Sequence, residues 1–162
     1  MHVPARVIAC YGGKAGCGRT TLVQNLAARA RIRRDAEVAV LDLDPRAIGE
    51  YRIRVGLRGG ETLGGIVARL SHFDAHTIRG YFPAARSGYE ILQAAETPEQ
   101  AAEITTAQII KVLELLRAAY DWVLVDGLQA PDPMTLAVLD LADTVVAMAP
   151  ADVLGIQALR RD

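Results

Sequence analysis

The run Tyr11-Gly-Gly-Lys14-Ala-Gly16-Cys-Gly18-Arg19-Thr20-Thr21 has the residue types and spacing of a phosphate-binding loop. From Gly13 it follows the pattern G-x-x-x-x-G-K-[ST], with Arg19 standing where lysine is expected and Thr20 where a Mg²⁺-binding hydroxyl is expected. Gly12, Gly13, Gly16 and Gly18 permit backbone conformations that aim successive N–H groups inward at the start of a following helix, where a polyphosphate is the natural occupant. The strand-like Arg6–Tyr11 before the loop and the helical pattern of Thr21–Ala30 after it supply the context that the motif needs. The candidate nucleotide contacts are Gly13, Lys14, Ala15, Gly16, Cys17, Gly18, Arg19, Thr20 and Thr21. The competing reading is a glycine-rich strand-to-helix turn without a ligand.

Two further carboxylates belong to the same chemistry. In open parallel sheets ligands sit at the carboxyl ends of the strands. Leu41-Asp-Leu-Asp44-Pro45 closes one apolar run and Val123-Leu-Val-Asp126 closes another. Asp126 has the form of a Walker B carboxylate, holding Mg²⁺ through water while Thr20 ligates it directly. Asp44 is placed to orient an attacking water near the γ-phosphate. Either aspartate alone reads equally as a turn former or helix cap; together, downstream of a phosphate loop, they read as a site. Lys14 stands out because Lys111 is the only other lysine of the chain. Its compact ammonium can reach phosphate oxygens as a point charge, in its own site or across a dimer interface, and the alternative is an exposed loop lysine.

These groups need a rigid frame. The 162 residues, 51% of them hydrophobic, are enough for one domain over 1–162 with a real core. Strand-length apolar runs recur at Arg6–Tyr11, Glu37–Leu43, Tyr89–Gln93, Trp122–Asp126 and Thr144–Ala149, separated by helical patterns. That alternation predicts an α/β fold, a mostly parallel sheet with helices on both faces. Thr106–Tyr120 is the clearest helix: Ile109, Val112, Leu113 and Leu116 form one apolar stripe, and Thr105-x-x-Gln108 is a capping box. Asp132-Pro133 reads as an N-cap with proline at the first helical position. Gly49–Gly60 is the least regular segment and is expected to be a mobile loop, with Arg52, Arg54 and Arg58 solvated.

A net charge of −1 argues against nucleic-acid binding through a basic surface. With no apolar run of spanning length and no signal-peptide plan at the start, the chain is expected to be cytoplasmic. Cys10 and Cys17 are expected as free thiols, and His2, His72 and His76 as surface residues, since neither set has metal-ligand spacing.

The loop from Lys14 to Thr21 resembles the deviant Walker A sequence K-G-G-x-G-K-[ST]-[ST] of the ParA/MinD ATPases, with Lys14 on the signature lysine. Val-Leu-Asp-Leu-Asp44-Pro resembles their second acidic motif and Trp-Val-Leu-Val-Asp126 their Walker B. The order of Tyr89-Glu-Ile-Leu-Gln-Ala-Ala-Glu-Thr-Pro-Glu-Gln-Ala, the Thr106–Tyr120 helix, Asp126 and Leu139-Asp-Leu-Ala-Asp-Thr-Val-Val-Ala-Met resembles the TadZ/CpaE pilus-assembly branch. The resemblance implies a P-loop three-layer fold, ATP or ADP with Mg²⁺ as cofactors, and an ATP-dependent homodimer. In it, Lys14 and Asp44 are the catalytic residues and Thr20 and Asp126 serve the metal. It also implies placement of tight-adherence (Flp) pilus or type II/IV secretion machinery together with its assembly proteins, at a cell pole and in indirect contact with the inner membrane.

Three departures bear on turnover: Arg19 replaces the loop lysine, Ala15 replaces a glycine, and Gly127-Leu-Gln-Ala replaces a proline-containing turn. They lead us to expect a slow ATPase or none. The family's C-terminal part is expected to be missing. Alternatives are a scaffold that acts by protein contacts, a flagellar-number or division-site regulator, and a metabolic relative. A reductase iron protein would need cluster cysteines downstream of the loop, and an amide-forming synthetase would need substrate residues; the sequence has neither.

Overall fold

The computed structural model describes residues 4–45, 50–57, 61–93 and 95–161. The apolar runs form five strands: β1 (Arg6–Tyr11), β2 (Val38–Asp42), β3 (Glu90–Gln93), β4 (Trp122–Leu128) and β5 (Thr144–Ala147). All pairings are parallel, in the order β3-β2-β4-β1-β5. Around them lie α1 (Arg19–Arg34), α2 (Glu50–Val55), α3 (Leu63–Val67), α4 (Pro98–Glu103), α5 (Thr106–Ala119), α6 (Pro133–Leu141) and α7 (Val153–Arg161). This is the expected three-layer α/β arrangement. The chain leaves β2 toward the β3 edge and leaves β4 toward the β5 edge. The adjacent carboxyl ends of β2 and β4 therefore diverge, which is where such sheets bind ligands.

Strand alternation sorts the core into two layers. Val7, Ala9, Ala39, Leu41, Val123 and Val125 pack with Ile109, Val112, Leu113 and Leu116 of α5 and Val138 of α6. Cys10, Val38, Val40, Ile91 and Leu124 pack with Val23 and Ala27 of α1. The α5 stripe is buried along its whole length, as its spacing predicts. Its capping box is also present: the Gln108 N–H donates to Thr105 Oγ1 (3.4 Å) and the Thr105 N–H to Gln108 Oε1 (2.8 Å). Asp132 caps α6 by accepting from the Thr135 N–H at 2.8 Å.

Two expectations need correction. Of the Gly49–Gly60 segment, residues 50–57 are described, and they begin with the helix α2 rather than a loop. The reason is an anchor: Tyr51 is buried in the α1-side core, and Val55, one turn on, packs against the same cluster while Ile53 points to solvent. Arg58 and the side chain of Arg52 lie outside the described residues, as does His2. The second correction is at β4, which continues past Asp126 to Leu128 through an irregularity. Ala9 pairs with Val125 but Tyr11 pairs with Leu128, so three residues of β4 span two of β1, a β-bulge.

Gly127 sits at the bulge with φ +92°, and a Cβ there would lie 2.2 Å from the Asp44 nitrogen and 2.6 Å from the Leu43 carbonyl carbon. Gly127→Ala combines a left-handed backbone with a main-chain clash. It should cost about 2 kcal/mol or more of folding stability, read from a lower denaturant midpoint. An unchanged midpoint would mean that the β2 end can retreat freely.

Candidate functional site

The candidate phosphate loop leaves β1 at Gly12, which is buried and hydrogen-bonded through its N–H to the Leu128 carbonyl at 3.1 Å. A Cβ at Gly12 would come within 2.8 Å of both Cys17 Sγ and the Met148 carbonyl oxygen, so the loop start has room for glycine alone. Gly16 (φ +80°) and Gly18 (φ +93°) take the left-handed conformations that turn the chain into α1. Gly18 is the N-cap of that helix, no side chain caps it, and its first turn carries no acid. The first N–H groups of a 16-residue helix thus face the loop with no internal anion, the arrangement that suits an external one.

A cavity of about 550 Å³ opens over this helix end, lined by loop residues 15–21 together with Asp44, Arg54 and Gln129. The structure therefore brings Ala15, Gly16, Cys17, Gly18, Arg19, Thr20, Thr21 and Asp44 to one place. Lys14 stands at the exposed side of the loop, where its Nζ pairs with Asp152 Oδ2 at 3.2 Å. Asp152 also caps α7 by accepting from the Gly155 N–H at 2.6 Å. Its carboxyl is held below the usual range first by that N–H and then by Lys14.

Arg19 is folded inward. Only 7% of it is exposed, and Nη1 donates to the Gly12 carbonyl at 2.8 Å and to the Leu128 carbonyl, while Nε is buried without a partner. The guanidinium thus ties the loop to the end of β4, with Nε enclosed and unpartnered.

Asp126 is almost fully buried behind the loop, its Oδ1 accepting from the Gly127 N–H at 2.8 Å. It faces Asp42, its register partner on β2, which is 4% exposed. Charge at this spot is felt by two neighbours. The Cys10 thiol is pushed up to about 11, mainly by burial and then by Asp126, with Arg19 opposing, so it stays protonated at neutral pH. The Tyr51 hydroxyl is pushed above its usual range by burial and then by Asp126 and Asp42. Among the described residues, no three His, Cys, Asp or Glu side chains converge as a metal cage.

Sequence reasoning missed Gln129, Arg54, Asp42 and Asp152. Gln129 Nε2 donates to Asp44 Oδ2 across the cavity wall. Asp42 was within reach of the strand-end argument, since it precedes Asp44 by one strand period. Gln129 was not, because its facing depends on the bulge. A second, more apolar cavity of about 440 Å³ lies on the α5 side of Gln129, lined by Leu43, Leu63, Ile104, Leu128 and Met134 among others.

The model of the family described as "Cellulose biosynthesis protein BcsQ" matches residues 5–161. No curated protein sequence matches the chain. Among solved structures, the ParA family ATPase from Chlorobium tepidum TLS superposes with a TM-score of 0.86 at 16% identity, over 97% of this chain and 65% of its own. The cell division ATPase MinD of Pyrococcus furiosus gives 0.78 at 17% identity, over 97% and 64%. The septum site-determining protein MinD from Pyrococcus horikoshii, complexed with Mg-ADP, gives 0.75 at 19% identity, over 95% and 61%. The chain thus spans less than two thirds of the length of each. Identities this low establish the fold, which is of the ParA/MinD type, and with the match over residues 5–161 the chain belongs to the BcsQ family of cellulose biosynthesis proteins.

Proposed function

We propose that residues 1–162 act as one nucleotide-binding unit of a positioning or assembly protein, holding ATP or ADP with Mg²⁺ on the Gly13–Thr21 loop and hydrolysing ATP slowly or not at all. The observation that carries the reading is the uncapped end of α1, reached through two left-handed glycines and open to a cavity that also presents Asp44. Thr20 lies on that cavity and Asp126 behind it, and one or two oxygens of this kind with phosphate oxygens are what Mg²⁺ ordinarily takes. When bound, Mg²⁺ supplies charge neutralisation to the phosphates. The Pyrococcus horikoshii MinD of like fold is complexed with Mg-ADP.

For turnover, Arg19 is the weak point. Its guanidinium already bridges two carbonyls, and a planar fork does not replace a compact ammonium between β- and γ-phosphates. Calorimetry should show ATP and ADP binding in the presence of Mg²⁺. Arg19→Lys should tighten ATP binding or raise turnover. No heat at millimolar ATP with folded protein would favour the scaffold reading.

Lys14 is proposed to serve a second protomer's phosphates in an ATP-dependent homodimer. At rest it pairs with Asp152, both half-exposed, and such a surface pair is readily exchanged for phosphate. Asp152→Asn keeps an oxygen to cap α7 but removes the competing charge. In sedimentation with a non-hydrolysable ATP analogue, Asp152→Asn should associate more tightly than wild type and Lys14→Ala less tightly. Equal association in all three would leave Lys14 without this role.

The process served is proposed to be the assembly of an envelope export machine, on the cytoplasmic side of the inner membrane and at a pole. The family match favours cellulose biosynthesis; the order of Tyr89–Ala101, α5 and β4 favours the tight-adherence pilus of the TadZ/CpaE branch as second reading. Deleting the gene should abolish cellulose and spare pili on the first reading, and do the reverse on the second. Altered flagellar number or misplaced division would point to the regulatory relatives instead.

A further inference from the structure

The bulge at Gly127 decides which side chain of the β4 end faces the phosphate loop. Along β4, Val123 and Val125 point into the α5-side core and Leu124 into the α1-side core, which puts Asp126 on the α1 side. Unbroken alternation would then send residue 128 to the α1 side, into the cavity, and residue 129 away from it. The extra residue at the bulge reverses this. Leu128 joins the α5-side core at 2% exposure, and Gln129 lines the loop cavity with its amide on Asp44.

The geometry points to Gln129 as a positioning residue for Asp44, placed by the Gly127 bulge; this rests on the nucleotide reading above. Asp44 is fixed at two points, its backbone N–H on Asp42 Oδ1 at 3.1 Å and its carboxylate on the Gln129 amide. The residue before Gln129 is fixed as well, because the Leu128 carbonyl accepts from the Gly12 N–H and from Arg19. Gln129 is thereby tied by its own backbone to the phosphate loop and by its side chain to Asp44. In the step served, the water oxygen bonds to the terminal phosphorus and the bridging P–O bond breaks with its electron pair on ADP. The water proton ends on the released phosphate.

Because wild-type turnover is expected to be slow, the test reads binding. Mg²⁺-ADP and Mg²⁺-ADP with aluminium fluoride, a planar mimic of the phosphoryl group in transfer, are titrated into wild type, Gln129→Ala and Gln129→Asn. Gln129→Asn keeps the amide but shortens its reach. The expected result is ADP affinity within about twofold in all three, with the fluoride complex weakened at least about tenfold in both variants. A merely structural role would lower both affinities together, and that outcome, or an unchanged fluoride complex, overturns the proposal. So does wild type that binds ADP but shows no gain with fluoride. Wild type that binds neither species fails the nucleotide reading itself.

Discussion

Where β2 ends, its backbone passes so close to β4 that a side chain at residue 127 would lie 2.2 Å from the Asp44 nitrogen. Glycine makes that crossing possible, and the arrangement of the site follows from it. The same residue supplies the left-handed φ of the bulge, which turns Leu128 into the core and Gln129 toward the cavity. The Leu128 carbonyl then meets the Gly12 N–H, fastening the start of the phosphate loop to the middle of the sheet. Three segments far apart in sequence, the ends of β1, β2 and β4, are thus locked within one hydrogen-bonded seam. A change at that seam moves the loop, the acidic turn and the amide together.

Electrostatics reinforces the seam. Asp42 and Asp126 are buried on neighbouring strands, a costly placement for two like charges unless positive charge or donors stand nearby. Arg19 provides part of that charge from below the loop, as its opposing pull on Cys10 registers. An arginine here is therefore a fastening for the loop as well as a cation. Its Nη1 donates to the Gly12 and Leu128 carbonyls together. The connection between loop and sheet thus runs in part through the Arg19 side chain.

The strands and the two best-capped helices were legible because their signals are local. The α5 stripe, Thr105 with Gln108, and Asp132 before Pro133 each report a backbone state within four residues. The glycine turn from β1 into α1 was legible for the same reason. Non-local contacts hid the rest. Residues 50–57 look irregular until Tyr51 finds the core beneath α1, and nothing in its neighbours announces that. Gly127 read as a departure from a proline-containing turn, whereas its space is limited by Asp44, which lies just past the end of another strand. Gln129 could be assigned to the site only once the bulge had reversed the alternation.

Lys14, which resembles a signature lysine by sequence, is engaged by Asp152 in the structure. Their pairing bridges the first and last parts of the described chain, for the Met148 N–H donates to the Tyr11 carbonyl at 2.8 Å and draws the two segments together. The lysine therefore sits at the loop's outer side, where a second copy's phosphates would have to approach, with its charge already countered by one carboxylate. A nucleotide tail brings several negative charges against that single one, and closing an interface excludes the water that screens them. In the proposed homodimer, charge alone would favour phosphate over Asp152 as the partner of Lys14. The Gly155 N–H holds Asp152 at the head of α7 through Oδ1, the oxygen that Lys14 does not contact.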